Sequence, residues 1–119
     1  MGRRSRARGR EERLRAQEAE YASPEGDVLV LRGALTPATR RAYAEVLHGS
    51  PLSQEDAWQR AVEFLFERLA VRWTVSGVPT EGQRPLLERF RVASTAERRF
   101  VRDALREHVA EHFPDVEAP

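Results

Sequence analysis

The string His108-Val109-Ala110-Glu111-His112 has the H-x-x-E-H order of inverted zinc peptidases. In such a site two histidines one helical turn apart bind the metal and the glutamate activates water. A catalytic zinc also needs a third protein ligand. Only seven residues follow His112, and the remaining histidine, His48, falls at the end of a different helix. Histidines in a last helical turn have a simpler role, their favourable interaction with the negative end of the helix dipole. The expectation is therefore no metal, no cofactor and no catalytic residue at this motif.

Other chemistries find less support. No serine sits in a G-x-S-x-G elbow and no glycine-rich phosphate loop is present. The absence of cysteine excludes disulfides, thiolate zinc sites, iron–sulfur clusters and a cysteine nucleophile. Glu63 and Glu67 have the i,i+4 spacing of an acid–base pair, but beside Arg60 they read as a solvated helix face.

The strongest electrostatic feature is at the N-terminus. Arg3, Arg4, Arg6, Arg8, Arg10, Arg13 and Arg15 stand against Glu11 and Glu12, a balance of 7 − 2 = +5. The other 104 residues carry 13 arginines and 17 acids, or −4, so a near-neutral chain of 119 residues is a basic arm on a mildly acidic body. Leu14 and Tyr21 are the large apolar groups of residues 1–22. They cannot offset the roughly 1–2 kcal/mol per residue lost on ordering backbone, so this arm is expected to be disordered. An arginine arm binds any polyanion with a steep salt dependence, and Arg3, Arg4, Arg6, Arg8 and Arg10 are the candidate nucleic-acid contacts. A helix-turn-helix using Arg98, Arg99, Arg102 and Arg106 is weaker, because Glu97, Asp103, Glu107 and Glu111 intervene and repel phosphates.

Around these residues the sequence predicts an all-α chain: a small bundle of about four helices over 23–113, preceded by one short β-like segment, with a frayed end at 114–119. The turn cluster Ser23-Pro24-Glu25-Gly26-Asp27 leads into Val28-Leu29-Val30-Leu31, which is β-prone and stopped by Gly33. A lone strand leaves its backbone unpaired, so it must pair with the preceding segment or a second copy, or pack over the helices. Thr36-Pro37 opens a first helix that ends at Gly49-Ser50-Pro51. Ser53, followed by Glu55 and Asp56, opens a second. Its helical pattern runs to about Ser76, roughly six turns, before Gly77-Val78-Pro79. Thr80-Glu81-Gly82-Gln83 reads as the start of a short third helix, and Ser94-Thr95-Ala96-Glu97 as the capping box of a last one.

Projected at 100° per residue, the second helix carries an apolar arc covering more than half its circumference, which calls for contacts on two sides. Arg68 and Arg72 lie within that arc and require partners or an exposed rim. Aromatics and arginine dominate interface hot spots, so Trp58, Phe66, Arg68, Arg72 and Trp73 form the candidate protein interface.

The order of segments resembles the small tail-assembly chaperones of long-tailed phages over roughly residues 26–113. The residues concerned are the strand and its exit (Gly26-Asp27-Val28-Leu29-Val30-Leu31-Arg32, then Leu35-Thr36-Pro37), Trp73-Thr74-Val75-Ser76-Gly77-Val78-Pro79, and Ala93-Ser94 opening the last helix. The arginine arm has no counterpart in that pattern. The resemblance implies a non-enzymatic factor that binds tail components during assembly, without cofactor. From the residues alone the expectation is a protein-binding adaptor or assembly factor, with self-association open, and with nucleic-acid binding through the arm as the alternative. No stretch reaches the roughly 18–20 apolar residues of a bilayer span and the N-terminus lacks the apolar core of a secretion signal, so a cytoplasmic location without membrane contact is expected.

Overall fold

The computed structural model describes residues 18–49 and 53–119. The arginines at 3–15 lie outside the described residues, so the nucleic-acid contacts expected of them do too.

The chain is α+β, which overturns the all-α expectation. In order it forms β1 (Ala19–Ala22), β2 (Val28–Leu31), α1 (Pro37–His48), α2 (Gln54–Leu69), β3 (Ala70–Val75), β4 (Val78–Glu81), α3 (Gln83–Arg91) and α4 (Thr95–His112). The strands make one antiparallel sheet in the order β1-β2-β3-β4.

Two of the four strands, β3 and β4, were not anticipated, and β1 was one of the pairings left open to β2. The segment at 70–75 extends the helical pattern of α2 in projection, yet its own sequence, Ala-Val-Arg-Trp-Thr-Val, alternates with a period of two and is rich in β-branched residues. The helix stops at Leu69, and Ala70, its C-cap, is already extended. Ser76 and Gly77 then form a two-residue hairpin loop, both with positive φ (51° and 79°), the twist that suits antiparallel strands. That hairpin draws Val78–Glu81 into β4, so the third helix begins only at Gln83, with Gly82 at its N-cap. At the other edge Ala19–Ala22, expected within the disordered arm, pairs with β2, with Tyr21 opposite Leu29 and Glu20 opposite Val30. Of the pairings open to residues 28–31, the structure uses the preceding segment and adds β3.

The helix starts follow local capping chemistry. The Thr36 hydroxyl accepts the Thr39 N–H (3.1 Å), and Ser53 accepts that of Asp56 (3.3 Å). At α4 both halves of the capping box form: Glu97 N–H to Ser94 Oγ at 3.1 Å and Ser94 N–H to Glu97 Oε1 at 2.8 Å.

The helices cover one face of the sheet, that of Tyr21, Leu29, Leu31 and Trp73. A bulge between Val30 and Leu31 leaves Val71 without a partner and keeps Leu31 over Ala70, so both leucines of β2 point into the core. Phe66 of α2 stacks on Phe90 of α3 (4.9 Å) and meets Trp73 edge-on (5.8 Å). The opposite face bears Glu20, Ala22, Arg72, Pro79 and Glu81, all exposed, with Arg72 and Glu81 paired at 3.4 Å. Val30, between Glu20 and Arg72 on that face, is buried.

The C-terminal residues, expected to fray, are tied to α1. Tyr43 donates to the Glu117 carbonyl (2.6 Å), Arg40 pairs with Asp115 (2.7 Å), and His48 Nε2 lies 2.6 Å from Glu117. Phe113 caps α4 from within the core, with Arg40 over its ring.

Candidate functional site

The five expected interface residues do not form one patch. Phe66 and Trp73 are 0% and 1% exposed and belong to the core between sheet and helices, so neither is available to a partner. Their apolar arc is satisfied inside the monomer, by α3 for Phe66 and by β2 and α3 for Trp73. Arg72 lies on the helix-free face of the sheet, paired with Glu81. Arg68 is exposed beside Glu67 (3.8 Å), its guanidinium 5.0 Å from the Phe64 ring. Trp58 alone of the aromatics in the set remains at the surface, 37% exposed on the first turns of α2.

Trp58 has a neighbour the sequence did not single out for this purpose. The guanidinium of Arg102, from α4, sits 6.0 Å above its ring, and the Arg102 Nε–H is buried with no acceptor among the described residues. An exposed indole and an unmet cationic donor adjoin there. Nothing in the spacing marks Arg102 apart from Arg98, Arg99 and Arg106. Only the packing of α2 on α4 selects it. Arg98, also of α4, is used within the fold: it donates to the Arg91 carbonyl (2.8 Å) and lies over Phe90.

The H-x-x-E-H string gains no metal geometry. His108 is fully buried, with the Tyr21 hydroxyl 2.8 Å from Nδ1 and the Arg32 carbonyl 2.6 Å from Nε2. Because a carbonyl can only accept, Nε2 carries the proton and Nδ1 accepts from Tyr21. Both ring nitrogens are then engaged and the imidazole is neutral. Burial pushes its pKa down, more than the Arg32 carbonyl raises it, and nearby His112 lowers it further. Among the described residues no group of three or more His, Asp or Glu could hold a metal ion. His108 thus joins β1, the β2 exit and α4 rather than acting only as a counter-charge at a helix end. Burial also drives the Tyr21 hydroxyl up to about 12, with Glu111 and Glu107 adding to the shift.

The acid pair on α2 is occupied as well. Glu63 accepts both Nε and Nη2 of Arg91 (3.1 and 2.9 Å), and Glu67 accepts from Gln83 (3.4 Å). Near the start of α4 Arg89 spans two layers, donating to Glu97 (2.6 Å) while lying 5.1 Å over Trp73. The Ser94 backbone N–H, followed by Arg89, holds the Glu97 carboxyl below its ordinary range.

Two clefts flank α4 on its β1 side. One, of 360 Å³, lies between β1 and the middle of α4; the other, of 490 Å³, lies between the β1–β2 turn, β3 and the start of α4. No helix among the described residues is long and apolar enough to cross a membrane. The fold and surface define a two-layer α+β chain with one helix-covered sheet face. No protein-family model matches it, and no curated protein or solved structure matches it either.

Proposed function

We propose that this chain is a non-enzymatic protein-binding adaptor or assembly factor that engages its partner around Trp58 and Arg102. The observation that carries this reading is the exposed indole of Trp58 beside the Arg102 guanidinium. A partner carboxylate would meet the positive charge of the guanidinium, while an apolar side chain covers the ring. Desolvated Trp and Arg are the residue types that concentrate binding energy at interfaces. Arg68, exposed further along α2, extends the same helix as a rim. The segment-order resemblance to tail-assembly chaperones makes a tail component the expected kind of partner, in the cytoplasm of the host cell. The +5 balance of residues 1–15 favours a second reading, in which the arm binds nucleic acid and the folded part is its scaffold.

The test is affinity purification of the tagged chain from its host background, with and without nuclease and at two salt concentrations. Trp58→Ala and Arg102→Ala are run beside the unaltered chain. A stoichiometric, nuclease-resistant protein that both variants lose supports the adaptor reading. Retention of that protein by both variants overturns the Trp58–Arg102 surface. Recovery of nucleic acid alone, lost with nuclease or salt, overturns the adaptor reading in favour of the arm.

A further inference from the structure

Residues 114–119 follow α4, belong to no helix or strand, and lie against α1 as a bound peptide would. Acidic and apolar residues alternate along them. Asp115 and Glu117 are exposed, Val116 and Ala118 are half-buried against the core, and Pro119 is buried. A turn bond from the Val116 N–H to the Phe113 carbonyl (2.9 Å) leads into the segment.

The groups that meet it come in order along α1. Arg40 donates to the Asp115 carboxylate (2.7 Å), the Tyr43 hydroxyl donates to the Glu117 backbone carbonyl (2.6 Å), and His48 Nε2 meets the Glu117 carboxylate (2.6 Å). A guanidinium and an imidazole for alternate carboxylates, with a hydroxyl donor for the main chain, are a set that reads an acidic extended peptide. The set is held from the other side of the groove as well. Arg40 also donates its Nε–H to the Leu35 carbonyl (3.4 Å) and lies 5.4 Å over the Phe113 ring, while Tyr43 packs against Phe64 (6.4 Å). The ends of α1 are fixed by Thr36, which accepts the Thr39 N–H, and by the Gly49 N–H on the Glu45 carbonyl. None of these contacts involves residues 114–119.

The hold on the segment is weaker than the site it fills. Its two carboxylate contacts are exposed, with 69% of the Asp115 side chain and 63% of that of Glu117 in solvent, and exposed pairs of this kind contribute little. A short stretch so held opens at well below the free energy of global unfolding.

We infer that the α1 face of Arg40, Tyr43 and His48 is a peptide-binding site, filled in cis by residues 115–119. In trans it takes a partner's extended segment of the same chemistry, two carboxylates at alternate positions separated by a small apolar residue. It shares no residue with the Trp58–Arg102 surface and does not depend on it. The chain's own segment acts there as a tethered competitor at an effective concentration in the millimolar range. An incoming peptide therefore binds with its intrinsic dissociation constant divided by the fraction of chains in which the site is open.

The probe is a fluorescent, end-blocked hexapeptide, Pro-Asp-Val-Glu-Ala-Pro, beside its neutral counterpart, Pro-Asn-Val-Gln-Ala-Pro. Anisotropy titrations compare the unaltered chain with the same chain carrying Asp115→Asn and Glu117→Gln, which weakens the competitor and leaves the α1 face intact. The variant should bind the acidic peptide about tenfold more tightly than the unaltered chain does, the factor that two exposed ion pairs supply. It should bind the neutral peptide about tenfold more weakly than the acidic one. Saturating acidic peptide should also move the Val116 and Ala118 methyl resonances of the unaltered chain to their positions in the free peptide, a readout that stands even if the variant does not fold. Equal affinity of the two chains for the acidic peptide, equal binding of the two peptides, or methyl resonances unmoved at saturation overturns the proposal. A dimer formed by exchange of the segment between copies also overturns it, since the occupant in trans is then a second copy.

Discussion

His108 should make the chain acid-sensitive in a pH range where its carboxylates do not. In the folded state both ring nitrogens are engaged in the neutral form, Nε2 by the Arg32 carbonyl and Nδ1 by the Tyr21 hydroxyl. Protonation would set Nδ1–H against a hydroxyl now forced to reverse, inside a side chain with no exposed surface. Its folded pKa is accordingly lowered, burial being the main cause. For a base with a depressed folded pKa, the unfolded chain binds the extra proton first. Stability is therefore complete above the unfolded value of about 6.5 and falls as the pH drops from there towards the folded pKa. The unfolded value alone sets the upper limit of that loss at pH 5.5, RT ln(1 + 10) or about 1.4 kcal/mol relative to pH 8. Glu97, the carboxylate held low by Ser94 and Arg89, loses its contribution as the pH falls from the ordinary carboxylate value downwards, below this window.

Urea unfolding at half-unit steps from pH 5.5 to 8, followed by near-ultraviolet circular dichroism, measures this slope. His108→Gln removes the titration while keeping one donor and one acceptor. It should lower stability at pH 8 by about 1–3 kcal/mol, as expected for disturbing a buried hydrogen-bonded group, and flatten the curve between pH 6.5 and 5.5. His48 and His112 are common to both proteins, so the comparison isolates His108. Equal slopes for the two proteins would show that His108 is not the sensor and that the Tyr21–His108–Arg32 chain does not hold it neutral.

Core and surface aromatics should separate cleanly in denaturant titrations. Phe66→Ala and Trp73→Ala each should cost about 3–5 kcal/mol, whereas Trp58→Ala should cost no more than about 1.5 kcal/mol. A Trp58 variant as unstable as the other two would place that ring in the core. Gly77→Ala should destabilise by about 1 kcal/mol because φ is +79°, and Ser76→Asn should stabilise slightly by easing a φ of +51°, both read from thermal midpoints. Ser94→Ala removes the hydroxyl half of the α4 capping box and should cost about 1 kcal/mol, which thermal unfolding also reports.

Local chemistry in the sequence was legible wherever one residue type dictates one geometry. Thr36-Pro37, Ser53 and the Ser94/Glu97 box mark helix starts because their side chains can satisfy the first free N–H groups, whatever the tertiary fold. The sheet was not legible for the opposite reason. Residues 54–75 hold an unbroken apolar pattern, and Ala70 joins helix to strand without a loop, so a projection at helical period spreads strand residues over a false apolar arc. The alternation Val71, Arg72, Trp73, Thr74, Val75 and the Ser76-Gly77 dipeptide hold the correct reading, but each is short and competes with sixteen helical residues before it. β1 is harder still. Glu20-Tyr21 next to an arginine arm shows no strand pattern, and it becomes a strand because β2 needs a partner on its free edge.

The same misprojection explains which functional residues could be found. Treated as one helix, 54–75 puts Phe66, Arg68, Arg72 and Trp73 on a common stripe, and hot-spot composition then singles out all of them. Once the chain turns into a strand at Ala70, Arg72 and Trp73 lie on opposite faces of a sheet, the first paired across to Glu81 and the second buried under Arg89. What survives at the surface is Trp58, near the far end of α2, completed by Arg102 from a helix more than forty residues later. A pairing of that kind is set by where α4 crosses α2. That crossing is set by the core, to which Val101, Ala104 and Leu105 of α4 and Ala61, Leu65 and Phe66 of α2 all belong, and not by anything near Trp58 in sequence. The surface proposed for the partner is thus a consequence of the core, so perturbing Val101 or Leu105 should damage partner binding and stability together. Perturbing Trp58 or Arg102 should separate the two.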